Sequence, residues 1–366
     1  MSKVKLSEIG TFKNGLNFSA ERVLSGCKMI GVPDFGDNYL AKLDGLKEVD
    51  EDIVSTDYLL QDNDILFVRS NGNKNLVGRA MLIEKIKEKV TFSGFCIRFR
   101  ITNKNVNPLY MLYLFKSPLF RKLFSNTQQT SISNLNQEIL GNIEVELPII
   151  GQQNRIVKVI HGITRKIENN KRINDNLSAM AYDIYMHNFF SKKPNAKLKD
   201  ILTEAEKSAI QVGEAKTSNG EYPFFTSGAT ILKWNEPFVD GRNCFLNTGG
   251  NADVKFYVGK AAYSTDTWSI SAKSEMSDYL YLMLFSIKPE LNQKFFQGTG
   301  LKHLQKPLLK DRAIYVPEKM ELEAFNRQVM PMLDIISENT RENQQLTSLR
   351  DWLLPMLMNG QATISD

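Results

Sequence analysis

The 366-residue sequence predicts two tandem domains of mixed α/β (α+β) class, each followed by one long helix. Three observations carry this: a helical seam that occurs twice, opposite charge on its two copies, and short motifs that open and close each half. Ile156, Ile160, Ile163, Ile167, Asn170, Asn174 and Leu177 step by 4, 3, 4, 3, 4, 3. Phe325, Val329, Met332, Ile336, Asn339, Asn343 and Leu346 repeat those steps 169 residues later. A 3,4 alternation keeps one apolar face turned towards a partner helix, as in coiled coils. Both copies place asparagine at the same two positions of that face, where an amide costs stability and specifies register. Residues 151–190 hold six Lys or Arg against three Asp or Glu, and residues 320–359 hold three against six. Opposite net charge on matching seams predicts that the two helices pair within one chain. About 36 residues at ~1.5 Å each would make a rod of roughly 54 Å.

In chain order, residues 1–150 form the first domain. It opens on Leu6-Ser7-Glu8-Ile9 and closes on an exit strand ending at Glu146-Leu147-Pro148. Between them, residues 64–69 read as a buried strand running into a Gly- and Asn-rich loop. A short amphipathic helix is expected at 108–115, with Asn107 as its N-cap and Pro108 at its first position. Residues 151–190 are the first long helix. Ser191-Lys192-Lys193-Pro194-Asn195 marks the boundary, where proline stops the helix. The second domain, 191–319, opens on Leu198-Lys199-Asp200-Ile201, carries a buried strand at 243–247 and a short helix at 278–285, and exits at Pro317. Residues 320–366 hold the second long helix, ending at Asn359-Gly360. Pro355 should kink it or end it a few residues earlier.

Composition excludes several classes. With 42% hydrophobic and 24% charged residues the chain is ordinary for a globular protein. No stretch approaches the ~20 apolar residues of a membrane span, and the N-terminus lacks the apolar core of a signal peptide. A cytoplasmic protein without a membrane partner is expected. Cys27, Cys96 and Cys244 are scattered and odd in number, which predicts reduced thiols. His161, His187 and His303 are scattered too, so no metal site is expected. The net charge of +5 is compatible with a polyanionic partner.

Catalytic motifs are missing. Asn107-Pro108-Leu109-Tyr110 invites comparison with the Asn/Asp-Pro-Pro-Tyr/Phe motif of amino-methyltransferases, but its third residue is leucine and no Gly-rich cofactor loop precedes it. Glu214-Ala215-Lys216 has nuclease-like spacing without a second acidic strand. Gly298-Thr299-Gly300 and Gly249-Gly250 are too sparse for a phosphate-binding loop. What remains are polar loops after buried strands. Arg69, Ser70, Asn71, Asn73, Lys74 and Asn75 in the first half are answered by Asn247, Thr248 and Asn251 in the second. Gln128, Thr130, Ser131, Ser133 and Asn134 are similarly answered by Thr299, Lys302 and His303. Amides, hydroxyls and cations of this kind hydrogen-bond base edges and phosphates, so these are the candidate DNA-binding residues.

The duplicated order of these pieces resembles the specificity subunit of type I restriction-modification systems. The resemblance rests on Leu6-Ser7-Glu8-Ile9, the strand at 64–69, Glu146-Leu147-Pro148, Gln152-Gln153-Asn154-Arg155-Ile156 and the helix through Asn170 and Leu177. The second half repeats it with Pro317, Phe325-Asn326-Arg327, Asn343 and Leu353-Leu354-Pro355-Met356-Leu357-Met358-Asn359-Gly360. It implies two target recognition domains, each reading half of a split double-stranded DNA site, and an antiparallel helix pair as spacer. It also implies two modification subunits that supply S-adenosylmethionine and methyl transfer. Restriction subunits would supply ATP-driven translocation and cleavage. The chain itself would be a non-catalytic scaffold without a cofactor. Two other classes compete: the recognition portion of a fused methyltransferase-nuclease, and a coiled-coil protein adaptor with no DNA role.

Overall fold

The computed structural model describes residues 2–17, 26–36, 38–73, 76–120 and 135–364. The chain divides into two compact units, one of residues 1–164 with 347–366 and one of residues 165–346.

The first unit contains β1 (Ser2–Lys5), β2 (Gly10–Asn14), β3 (Gly26–Ile30), β4 (Lys47–Asp50), β5 (Ile65–Val68), β6 (Ala80–Leu82), β7 (Val90–Phe92), β8 (Cys96–Ile101) and β9 (Glu144–Leu147). One antiparallel sheet runs β2–β8–β5–β6, and a second runs β4–β3–β7 with β3 parallel to β7. The apolar run Ile-Leu-Phe-Val makes β5 an interior strand covered on both faces, and all four residues are buried. β1 lies antiparallel to β9, so Ser2 faces Leu147 and the two ends of the domain meet. Helix Pro108–Lys116 is capped by the Asn107 side chain, which accepts from the N–H groups of Leu109 and Tyr110 at 2.9 and 3.1 Å. It is not amphipathic. Every residue from Tyr110 to Phe115 is buried, because the helix sits inside the core among Phe67, Phe99, Ile156 and Leu354.

The second unit repeats this plan with β10 (Ala196–Lys197), β11 (Leu202–Glu204), β12 (Tyr222–Phe225), β13 (Leu232–Trp234), β14 (Arg242–Asn247), β15 (Val254–Val258), β16 (Ala262–Tyr263), β17 (Thr267–Ala272), β18 (Phe296–Gln297), β19 (His303–Leu304) and β20 (Ala313–Ile314). Its sheets run β11–β17–β14–β15 and β13–β12–β16, again with one parallel pair, and β10 closes on β20. Helix Ser277–Ser286 takes the place of Pro108–Lys116 and is likewise mostly buried rather than amphipathic. The duplication read in the sequence is therefore a duplication of topology in these three sheets, and the β18–β19 pair is described in the second unit alone.

The two long helices are Ile150–Tyr185 and Lys319–Met358, of 36 and 40 residues. The second continues through Pro355 instead of stopping before it. A proline inside a helix costs about 3 kcal/mol. Leu354, Leu357 and Met358 are buried in the core of the first unit beside Ile156 and Ile160, at roughly 1.5–3 kcal/mol per side chain, and outweigh it.

The seam positions differ in environment along the helices. Ile156 and Ile160 are wholly buried, Ile163 only partly, and Thr164 is buried in its stead. In the second copy Phe325 and Val329 are buried, Met332 partly, and Leu333 takes the third place. These stretches step by 4 and 4 because each packs into a globular core, where a straight 3.6-residue helix sets the buried face. Ile167 and Asn170 are buried, and Asn174, Leu177, Ile336, Asn339, Asn343 and Leu346 are half-buried. Here, within the second unit, the two helices meet. Asn170 Nδ2 donates to Asn343 Oδ1 at 3.0 Å and to Glu342 Oε2 at 2.5 Å, and Asn339 Nδ2 donates to Asn174 Oδ1 at 2.8 Å. Asn170 and Asn339 are equivalent positions of the two copies, as are Asn174 and Asn343. The first asparagine of each copy thus pairs with the second of the other, which requires antiparallel helices related by an internal two-fold. Lys166 and Glu342, 3.3 Å apart, form an ion pair across this stretch.

Candidate nucleic-acid interface

In the first unit β5 delivers the chain to Arg69. The Arg69 N–H donates to the Phe95 carbonyl at 2.7 Å, and the Arg69 carbonyl accepts from Leu135 N–H at 2.8 Å. Leu135 follows the second polar loop, so one residue joins both loops at their roots. Arg69 Nη1 lies 3.5 Å from the Gly94 carbonyl oxygen, which steers the guanidinium along the turn between β7 and β8. Ser70 is half-buried; Asn71 Oδ1 accepts from Asn73 N–H at 2.8 Å, a local turn that leaves Asn73 exposed. Lys74, Asn75, Gln128, Thr130, Ser131, Ser133 and Asn134 lie outside the described residues.

The second unit builds the same junction. Thr248 N–H donates to the Asp266 carbonyl and the Thr248 carbonyl accepts from Leu304 N–H, both at 2.9 Å. Gly250 N–H donates to the Lys302 carbonyl at 2.9 Å, and Gly250 has φ +80°, a left-handed turn that glycine adopts without a Cβ clash. The loops carrying Thr248 and Asn251 are thereby stitched to the loop carrying Thr299, Lys302 and His303. Asn251, Thr299 and His303 are exposed, and Thr248 and Lys302 half-buried. Asn247 requires a correction. Its side chain is buried, donating to the carbonyls of Gly249 and Asn251 and accepting from Asp253 N–H at 2.6 Å. Both amide protons and one lone pair of its oxygen brace the loop, and the side chain is buried rather than presented to a base. Sequence alone does not distinguish such a brace from a reader, because both are asparagines at the mouth of a turn.

The residues weighed for chemistry have structural roles. Asn107 is a helix cap, and Glu214 Oε1 accepts from Gln211 N–H at 2.9 Å at the start of another helix. Burial pushes the Cys96 thiol up to about 12 and raises those of Cys244 and Cys27, so all three stay protonated and unreactive near neutrality. Among the described residues no group of three or more His, Cys, Asp or Glu converges as metal ligands. No helix among them is long and apolar enough to cross a membrane. The arrangement offers amides, hydroxyls and cations on strand ends held by two turn residues, Phe95 and Asp266, that no sequence motif marks.

The family model for the type I restriction modification DNA specificity domain matches residues 1–179 and 192–348. The chain belongs to that family. It is a specificity subunit of a type I restriction-modification system, and not itself an enzyme. A putative type I restriction enzyme specificity subunit, MjaX, of Methanocaldococcus jannaschii is 21% identical over 390 residues, spanning 96% of this chain and 91% of its own length. The MjaVIII specificity subunit of the same organism is 21% identical over 377 residues, spanning 88% and 84%. The crystal structure of a type I restriction-modification S subunit from M. genitalium shares the fold, with a TM-score of 0.64 at 14% identity over 100% of this chain and 96% of that one.

Proposed function

We propose that the chain reads a bipartite, asymmetric double-stranded DNA target, with residues 1–150 and 191–319 as its two recognition domains. Residues 151–190 and 320–366 serve as the helical scaffold on which two modification subunits assemble. Those subunits bring S-adenosylmethionine and methyl transfer, and restriction subunits, where present, bring ATP-driven cleavage. The complex works in the cytoplasm. The observation that carries this reading is the repeated junction: in each unit one residue, Arg69 or Thr248, ties the polar loop after an interior strand to a second polar loop. Two such junctions with different side chains suit two different half-sites. Base edges in the major groove supply the sequence information, and cations on phosphate supply affinity that falls with salt.

The test is selection from random-sequence duplexes, with the chain alone and with two modification subunits. Two separate enriched blocks of different sequence support the reading. Enrichment of a single block, or of none in the presence of the modification subunits, contradicts it.

A further inference from the structure

The turn between β7 and β8 in the first unit and the turn between β16 and β17 in the second have the same backbone wiring and a different residue at the tip. In the first unit Ser93 N–H donates to Ile30, Cys96 N–H to Ser93, and Arg69 N–H to Phe95. In the second, Ser264 N–H donates to Phe225, Thr267 N–H to Ser264, and Thr248 N–H to Asp266. Each tip thus sits one hydrogen bond from the residue that opens the polar loop. The turn is held rigidly. Gly94 N–H donates to the Leu16 carbonyl at 2.7 Å, and a Cβ on Gly94 would lie 1.8 Å from Asn17 Oδ1. Thr265 N–H donates to the Ile210 carbonyl at 2.9 Å.

On that shared scaffold the first unit presents a phenylalanine that is 61% exposed, and the second an exposed aspartate. Phe95 is not a solitary surface apolar group. With Leu16, Met29, Val32 and Pro33 it rims a largely apolar cavity of about 510 Å³. The exposed ring therefore offers an apolar face at the rim of a concave surface, next to the residue that opens the polar loop. Asp266 offers the opposite chemistry, a carboxylate that can only accept hydrogen bonds.

We infer that these two tips are specificity-determining positions, Phe95 packing on the C5-methyl of a thymine and Asp266 accepting from N4 of a cytosine. Both are side-chain pairings that base edges in the major groove allow. The inference rests on the reading of the polar loops as DNA-facing. It deepens that reading by naming which base each unit's turn selects.

The test uses the full chain assembled with its modification subunits and duplexes selected for binding. In one arm each thymine of the first half-site is replaced in turn by uracil, which removes only the methyl. One replacement should weaken the parent about fourfold, the value of one buried methyl-sized group, and should leave Phe95→Ala unaffected. In the other arm Asp266→Ala should relax preference at a single cytosine of the second half-site by about 5- to 150-fold and leave the first half-site unchanged. Both side chains are exposed, so thermal melts of the variants should match the parent. A first half-site selected without thymine, or unchanged profiles for both variants while Arg69→Ala or Lys302→Ala weakens binding, overturns this inference alone. Unchanged binding for all four variants overturns the DNA-facing reading with it.

Discussion

Replacing Asn170 and Asn339 together by leucine should stabilise the paired helices and loosen their register. Asn170 is 1% exposed, and its amide donates to Asn343 and Glu342; Asn339, half-buried, donates to Asn174. The substitution removes the donors and leaves Asn343 and Asn174 as acceptors. Both are half-buried, so water can replace the lost partner and each deficit is about 1 kcal/mol rather than a full desolvation penalty. Burying a leucine at the enclosed position 170 returns roughly 1.5–3 kcal/mol, and at the half-buried position 339 about half of that. The net is a gain of up to about 2.5 kcal/mol, with no asparagine pair left to penalise a one-turn slip. Hydrogen exchange over residues 165–177 and 336–346 reads the stability. Cysteine pairs placed in register and one turn out of register read the alignment, and the native cysteines are buried and do not interfere. Slower exchange with cross-linking spread over both alignments is the expected result. Faster exchange with the parent's cross-linking pattern would show that the amides stabilise the pair without setting its register.

Arg242 holds the wholly buried Asp278 through two bonds of 2.6 and 2.7 Å and reaches Asp334 at 2.6 Å. Arg242→Met strands a buried carboxylate and should cost about 3–5 kcal/mol, lowering the urea midpoint of the second unit while the first is unchanged. Arg69→Ala should weaken all duplexes alike and reduce the salt slope by about one if Arg69 binds phosphate, the outcome expected here; a loss confined to the cognate site would instead assign it to guanine. The donors Lys192 and Tyr315 hold the Glu321 carboxyl down to about 2, against about 4.3 for a free glutamate. A depressed carboxylate contributes stability that is present above its unfolded pKa and lost as pH falls through the folded one. Between about pH 4.5 and 2, Glu321→Gln should therefore lose less stability than the parent, measured as urea midpoints against pH.

The helices were the most legible part of the chain because their period is local. Six steps of 4 and 3 suffice to name a face, and the asparagines at matching positions do meet in the structure. The steps at Thr164 and Leu333 were not legible. There the helix packs on a core assembled from distant strands, and the buried face drifts to the straight-helix period. Topology was half legible: β5 and β14 announce themselves as apolar runs, but the parallel pairings of β3 with β7 and β12 with β16 are contacts between short strands far apart in sequence. At the candidate interface, amide-rich loops could be found by composition. Their wiring could not. Asn247 is buried as a brace, whereas Phe95 and Asp266 sit at the junctions although neither belongs to the amide-rich loops that composition singles out.

On the function proposed above, each unit reads its own half of one split DNA site. The most direct measurement grafts residues 1–148 onto the second half of another family member with a known target. The sites bound by the hybrid, assembled with modification subunits, are then sequenced. The expected result is a hybrid target in which one half-site comes from this chain and the other is retained from the recipient. A target in which both half-sites change together, or in which neither does, would contradict it.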